Sequence, residues 1–441
     1  MSYKFGAKVP LLDINFVRQQ FPSFQHSETG KWIFMENAGG TYVPKPVIDR
    51  LNRFMIESKV QPYGQYHMSK VATNAIEEST VKMAEMINAD HDEVVIGHCT
   101  TMNFYVLSKA LRSWFQPGDE VIVTNQEHEA NSTPWRRLQE LGVTVLEWKM
   151  NPTTAELELD ELEKLLSNQT KLVCVNHSSN IVGSVNDIKS IADMIHAKGG
   201  LILVDGVSFA PHHCVDVKAL DVDFYGLSLY KVFGPHLGLL FVKKHHHHLL
   251  SNESLEFQPQ QYEKITTPGA PNYLRIVLNP GGVNHEEGAC LTGITDYMDS
   301  VYDHHFQDGE RNQFSRVKQV FGLIEAHESK MSKIFLDYVQ TIPKIKLIGK
   351  TVSDTKQRQP TFSFTISSKL SNKELVGELT KRKIAIQSGC FYAWRCVKAL
   401  GIDTEAGVIR VSLVHYNTED EVRNLCSSLE EIIYHGLLRS D

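Results

Sequence analysis

The chain has 441 residues, 42% hydrophobic and 22% charged, with a formal net charge of −7. That composition is too apolar for an intrinsically disordered chain and too acidic for one whose main partner is a nucleic-acid backbone. No apolar stretch approaches the roughly 18 residues of a membrane span, and the length suggests two or three domains.

In chain order, residues 1–30 read as an N-terminal arm with a turn at Phe21-Pro22. Its start, Met1-Ser2-Tyr3-Lys4-Phe5, lacks the apolar core of a secretory signal. The seven cysteines include no C-x-x-C pair. Free thiols in a reducing, cytoplasmic setting are therefore expected. Pro44 and Pro46 open a helix-like stretch through Met55. From about residue 93 to 245, short apolar runs alternate with helix-period segments. The runs are Val94–Ile96, Val121–Val123, Leu172–Val175, Leu201–Val204 and Leu239–Val242, and Leu159–Leu166 and Ile188–His196 lie between them. Buried strands alternating with helices predict a mostly parallel sheet covered on both faces.

A polar, proline-containing zone follows over about 250–285, then one long helix-like stretch over Gly288–Leu336. Phe362–Thr365, Ile384–Ile386 and Val408–Val411 read as strands, and Thr418-x-x-Glu421 as a capping box opening a terminal helix. The division expected is an arm over 1–30 packing with the small domain, a large domain over 31–286 and a small α+β domain over 287–441.

Ligands of open α/β sheets bind outside the carboxyl ends of the strands. The predicted strand ends carry Thr100-Thr101, Glu127-His128, Asn180, Asp205 and Ser228-Leu-Tyr-Lys231. Hydroxyls and a helix start suit a phosphate, a carboxylate suits a protonated aromatic nitrogen, and a lysine suits an aldehyde. Together they describe a site for pyridoxal phosphate (PLP). No G-x-G-x-x-G, G-x-x-x-x-G-K-[ST] or H-E-x-x-H signature points to another cofactor or to a metal.

The stretches Asp205-Gly-Val-Ser-Phe-Ala-Pro-His212 and Asp223-Phe-Tyr-Gly-Leu-Ser-Leu-Tyr-Lys231-Val-Phe-Gly-Pro235 resemble the core of class V aminotransferases. Glu127-His-Glu-Ala-Asn131 and Arg410-Val-Ser-Leu-Val-His-Tyr-Asn-Thr418 resemble the cysteine desulfurase and selenocysteine lyase branch of that family. The likeness runs from about residue 20 to 435. It implies an α/β PLP-dependent transferase of the aspartate aminotransferase-like type (fold type I), a homodimer acting on a small-molecule amino-acid substrate, with a sulfur-acceptor protein as a possible partner.

The resemblance also implies roles. Lys231 would hold PLP as a Schiff base and act as acid and base. Asp205 would keep the ring nitrogen protonated, His128 would stack on the ring and take part in catalysis, and Asn180 would bond its phenolic oxygen. Thr100, Thr101, Ser228 and Tyr230 would cradle the phosphate. Ser208 stands where desulfurases often have Gln beside the cofactor. Arg410 would clamp the substrate carboxylate, with Asn37 also assigned to the substrate. Gly282 stands where a partner subunit's phosphate-contacting Thr is usual, and Asn284 is the nearby side chain assigned to that role.

One motif departs from the branch. Its nucleophilic cysteine lies in a Gly-His-x-Cys-Ala context, whereas this chain reads Gly389-Cys390-Phe-Tyr392-Ala393. Tyr392 takes the nucleophile position and Cys390 precedes it by two. The expectation is C–S cleavage of cysteine or a derivative, with Cys390 as the candidate thiol. The alternatives are β-elimination or epimerisation without a cysteine nucleophile, or a catalytically silent scaffold. His245–His248 and His212-His213-Cys214 are read as surface or supporting residues and not as metal sites.

Overall fold

The computed structural model describes residues 10–257 and 273–435. After a short helix, Ile14–Gln19, the arm leads into the first strand, β1 (Ile33–Phe34). Arg18 Nη1 donates to the Tyr416 carbonyl and pairs with Glu421 at 2.9 Å, and the Phe21 ring packs on Tyr297 and Tyr416. The arm is thereby fastened to the last strand's exit and the terminal helix.

Seven strands follow: β2 (Val94–Gly97), β3 (Glu120–Thr124), β4 (Thr144–Trp148), β5 (Thr170–Asn176), β6 (Leu201–Asp205), β7 (Phe224–Ser228) and β8 (Gly238–Val242). They form one sheet in the order β2-β8-β7-β6-β5-β3-β4. Only β8 runs against the others, antiparallel to both neighbours. Leu172, Val173, Cys174 and Val175 are all fully buried, as a strand covered on both faces requires. Helix Ile188–His196 joins β5 to β6 and buries Ile188, Ile191, Ala192 and Ile195, one stripe at helical spacing. The Thr144–Trp148 strand is absent from the sequence reading, because its mixed Thr-Val-Leu-Glu-Trp pattern suits an edge position and not a buried run.

In the C-terminal part, β9 (Ile345–Leu347), β10 (Thr361–Ile366), β12 (Gln387–Gly389) and β13 (Val408–Ser412) form an antiparallel sheet ordered β12-β13-β10-β9. The intervening β11 (Ile384–Ala385) leaves it and pairs in parallel with β1. The terminal helix, Glu419–His435, packs Val422, Leu425, Leu429 and Ile432 into a cluster with Phe335, Phe362 and Ile409. Its capping box forms, with Thr418 N–H donating to Glu421 and Glu421 N–H to Thr418 Oγ1.

The single helical stretch expected over Gly288–Leu336 is broken into His285–Ala289, Thr292–His305 and Gln313–Gln340. Between the second and third, Gly309 takes φ +71°, which no helix continues through. Part of the polar zone expected at 250–285 lies outside the described residues.

Candidate active site

Strands β2, β7, β6, β5 and β3 point the same way, so their carboxyl ends share one edge. At that edge Thr100, Thr101, His128, Asn180, Asp205, Ser208, Ser228, Tyr230 and Lys231 line a single cavity, joined by Gln126, Asn176, Ser178 and Ser179. Nine of the residues singled out from the sequence are brought together.

Each is placed by local structure. Two residues separate β2 from the helix Thr100–Ala110, so the helix start lies at the cavity that Thr100, Thr101 and Ser228 line. The Thr100 and Ser228 hydroxyls lie 2.7 Å apart. Gly238 permits the approach, because a Cβ there would collide with the backbone of Cys99 and Thr100. Lys231 ends the one-turn 3-10 helix Leu229–Lys231 directly after β7 and is 7% exposed. Its Nζ donates no hydrogen bond among the described residues, and burial, with help from the nearby Arg410 charge, lowers it to about 8.

Asp205 ends β6 and accepts the Val207 N–H at 2.9 Å. Burial raises it to about 6, against the pull of that N–H and of Lys231. His128 accepts the Ala130 N–H on Nδ1 at 3.1 Å. Burial pushes the imidazole down to about 3, so a neutral ring faces the cavity. Asn180 donates from Nδ2 to the Phe391 carbonyl at 2.9 Å, and its buried Oδ1 has no partner among the described residues. Glu127, fully enclosed, accepts from Thr124, Asn131 and both the backbone and side-chain N–H of Asn176, so it braces β3 against β5.

A wider mouth opens onto the cavity, lined by Arg410, Glu36, Phe391, Tyr392, Cys99 and Tyr105 together with His128, Asn180 and Lys231. Arg410 is 3% exposed. It donates from Nη2 to Glu36 at 3.0 Å and from Nη1 to the Asn180 carbonyl at 3.3 Å, and lies 3.6 Å over the Phe391 ring. Burial lowers it to about 10, opposed by Glu36, so it stays charged at neutral pH.

Three residues singled out from the sequence are elsewhere. Asn37 is buried and committed to structure: it donates to the Ser412 carbonyl and to Asn417 and accepts from Tyr416. Its neighbour Glu36 faces the mouth instead. Asn284 caps the helix His285–Ala289 through the Glu287 N–H and does not line the cavity of its own chain. Cys390 lines neither cavity nor mouth. Its thiol donates to the Thr404 carbonyl at 2.9 Å, and burial, with Glu405 and Asp403, raises its pKa. Phe391 and Tyr392, at φ +48° and +57°, turn the loop so that two aromatic side chains enter the mouth in its place.

The histidine clusters have partners of their own. His246 pairs with Asp223 at 2.7 Å, His247 stacks on Tyr273, and His212 and His213 pair with Glu328 and Glu325.

The residues present fit PLP. A buried amine and an amide oxygen, both without a hydrogen-bond partner among the described residues, meet a carboxylate, a neutral imidazole and hydroxyls at a helix start in one cavity. Lys231, Asp205, His128 and Asn180 would hold its ring, and Thr100, Thr101 and Ser228 its phosphate.

Comparison with known proteins points the same way. The family model for class V aminotransferases matches residues 33–267 and 317–425. An aminotransferase-like protein of Gibberella zeae is 35% identical over 427 residues, covering 95% of this chain and 98% of the relative. A cysteine desulfurase-like protein of Aspergillus flavus is 32% identical over 454 residues, covering 97% and 93%. A cysteine desulfurase of Dickeya dadantii is 30% identical over 447 residues, covering 96% and 97%. Among solved structures, a cysteine desulfurase from Thermococcus onnurineus superposes with a TM-score of 0.81 at 23% identity, over 98% of this chain and all of the other.

Proposed function

The chain belongs to the class V aminotransferase family, a family of PLP-dependent enzymes, and from that premise we propose that it cleaves the C–S bond of cysteine or a cysteine-derived amino acid. The observation that carries this reading is the meeting of Lys231, Asp205, His128 and Asn180 in one cavity below a mouth that holds Arg410.

When bound, PLP supplies a sink for the electron pair left when the substrate Cα loses its proton. Lys231 would anchor the group, and its amine is the base that would take and return the proton at Cα. Its lowered pKa keeps a useful fraction of the amine neutral for both tasks. Asp205 would hold a proton at the ring nitrogen, where a buried carboxylate is worth more than in water. His128, neutral, would offer a flat face to the ring. Arg410 orients the substrate by its carboxylate.

A second reading of the sulfur step is favoured by the Cys390 geometry. With that thiol turned to Thr404 and Tyr392 in the mouth, sulfur leaves by β-elimination and not by transfer to Cys390. A sulfur-acceptor protein belongs only to the transfer route.

We extend the proposal to the assembly: an arm over 1–30, a large domain over 31–286, a small domain over 287–441, and a cytoplasmic homodimer whose second subunit meets Asn284. Seven free cysteines support the reducing setting. Among the described residues no helix is long and apolar enough to cross a membrane.

The test is a substrate screen with cysteine, selenocysteine, cysteine sulfinate and larger S-conjugates, with products identified, run beside Lys231→Ala. Expected are C–S cleavage of at least one and, in the variant, loss of both turnover and the visible absorbance of the lysine-bound cofactor. Retained turnover in Lys231→Ala overturns the mechanism.

A further inference from the structure

We propose that Glu36 and Arg410 together read the two charges of an α-amino acid at the mouth, Arg410 taking the carboxylate and Glu36 the ammonium, so that plain carboxylates are rejected. This rests on the reading above that the substrate carboxylate binds Arg410.

Glu36 is built into this position. Its backbone bridges to Ser412, two residues along β13 from Arg410, so strand alternation sets Arg410 and Ser412 on the same face. A Cβ at Gly39 would collide with both carboxylate oxygens of Glu36, so the missing side chain there makes the space they occupy. Glu36 keeps part of its surface open to the mouth, at 23% side-chain exposure against 3% for Arg410.

The hydrogen-bond inventory of Arg410 sets the rule. Nη1 serves the Asn180 carbonyl, Nη2 serves Glu36, and Nε is buried without a partner. Nη2 belongs to both edges by which a guanidinium grips a carboxylate with two parallel bonds, side-on with Nε and end-on with Nη1. A carboxylate that pairs with the unpartnered Nε by the side-on grip shares Nη2 with Glu36 and therefore comes to lie beside the Glu36 carboxylate. Two like charges at that spacing in a poorly solvated mouth repel. A ligand with an ammonium group on the carbon next to its carboxylate replaces that repulsion with an ion pair. Free amino acids carry this arrangement, and their keto or desamino analogues do not.

The test uses the holoenzyme and two probes of the same shape, N,N-dimethylglycine and 3-methylbutanoate. The first carries a tertiary ammonium that cannot condense with an aldehyde, so calorimetry reads binding without reaction. The parent is expected to prefer N,N-dimethylglycine roughly tenfold or more, the scale of a hydrogen bond to a charged group. Glu36→Gln is expected to bring the two affinities together, chiefly by tightening 3-methylbutanoate, whereas Glu36→Asp keeps the preference. A ratio unchanged in Glu36→Gln, with both probes still weakened by Arg410→Lys, overturns this proposal alone. Probe binding indifferent to Arg410→Lys overturns the carboxylate reading and this proposal with it. Thermal melts of each variant identify a folding defect, and if Glu36→Gln is lost to one, loss of the preference in Glu36→Asp overturns the proposal.

Discussion

The hydroxyls of Thr100 and Ser228 meet at 2.7 Å although they leave different strands of the large sheet. One opens the helix after β2 and the other closes β7, and β8 lies between those strands. Their contact puts two hydroxyls beside a helix start, the arrangement that would suit a phosphate.

Removing either hydroxyl should therefore loosen PLP more than it loosens the fold. Thr100→Val and Ser228→Ala are each expected to weaken PLP binding by roughly tenfold, as loss of a hydrogen bond to a charged group does. The double variant should cost less than the two single effects combined, since the groups share a bond. Fluorescence titration of the apoprotein with PLP measures all three, and strict additivity would contradict the shared cradle.

Lys231 makes a pH prediction. Its amine is lowered from 10.5 to about 8 by burial, and only the neutral amine attacks an aldehyde. The rate at which apoprotein captures PLP should climb with pH and level off near 8. Stopped-flow absorbance reads it, and a rate still climbing beyond pH 10 would show an ordinary lysine.

Cys390 should be dispensable. Because its thiol faces Thr404 and not the mouth, Cys390→Ser is expected to release sulfur product at the parent rate. A variant that keeps Cα deprotonation, read by solvent deuterium exchange, but loses sulfur release would show that the loop reverses to present the thiol.

His415 makes a prediction about stability. It is enclosed, bonded through Nε2 to the Tyr297 hydroxyl at 2.5 Å, and its pKa is lowered to about 3 chiefly by burial. Between about pH 3 and 6.5 the unfolded chain binds this proton and the folded chain does not. The stability is present above 6.5 and is lost as pH falls toward 3. Between pH 7 and 5 this one group removes about 2 kcal/mol by linkage. Urea unfolding of the parent and of His415→Gln at both pH values should give a shallower loss in the variant.

Much of the cavity was legible because its chemistry is local. Asp205, Ser228 and Lys231 each follow an apolar run, and a run buried on both faces must end at the sheet edge where ligands bind. Residues that sit at those ends reach the cavity whatever the distant parts of the chain do.

The mouth depended on long-range packing. Asn37 and Glu36 are adjacent in sequence, but pairing of Glu36 with Ser412 turns one inward to Asn417 and Tyr416 and leaves the other beside Arg410. Tyr392 enters the mouth and Cys390 stays out of it because Phe391 and Tyr392 adopt left-handed backbone, pinned by bonds from Asn180 and from the Glu129 N–H. The alternation of apolar runs with helical segments thus made the parallel sheet legible, and the motifs at the strand ends carried the family resemblance and its cofactor. Which side chains face the substrate was decided by contacts between segments hundreds of residues apart, since a side chain's direction in a turn follows from what its backbone is bonded to and not from its place in the sequence.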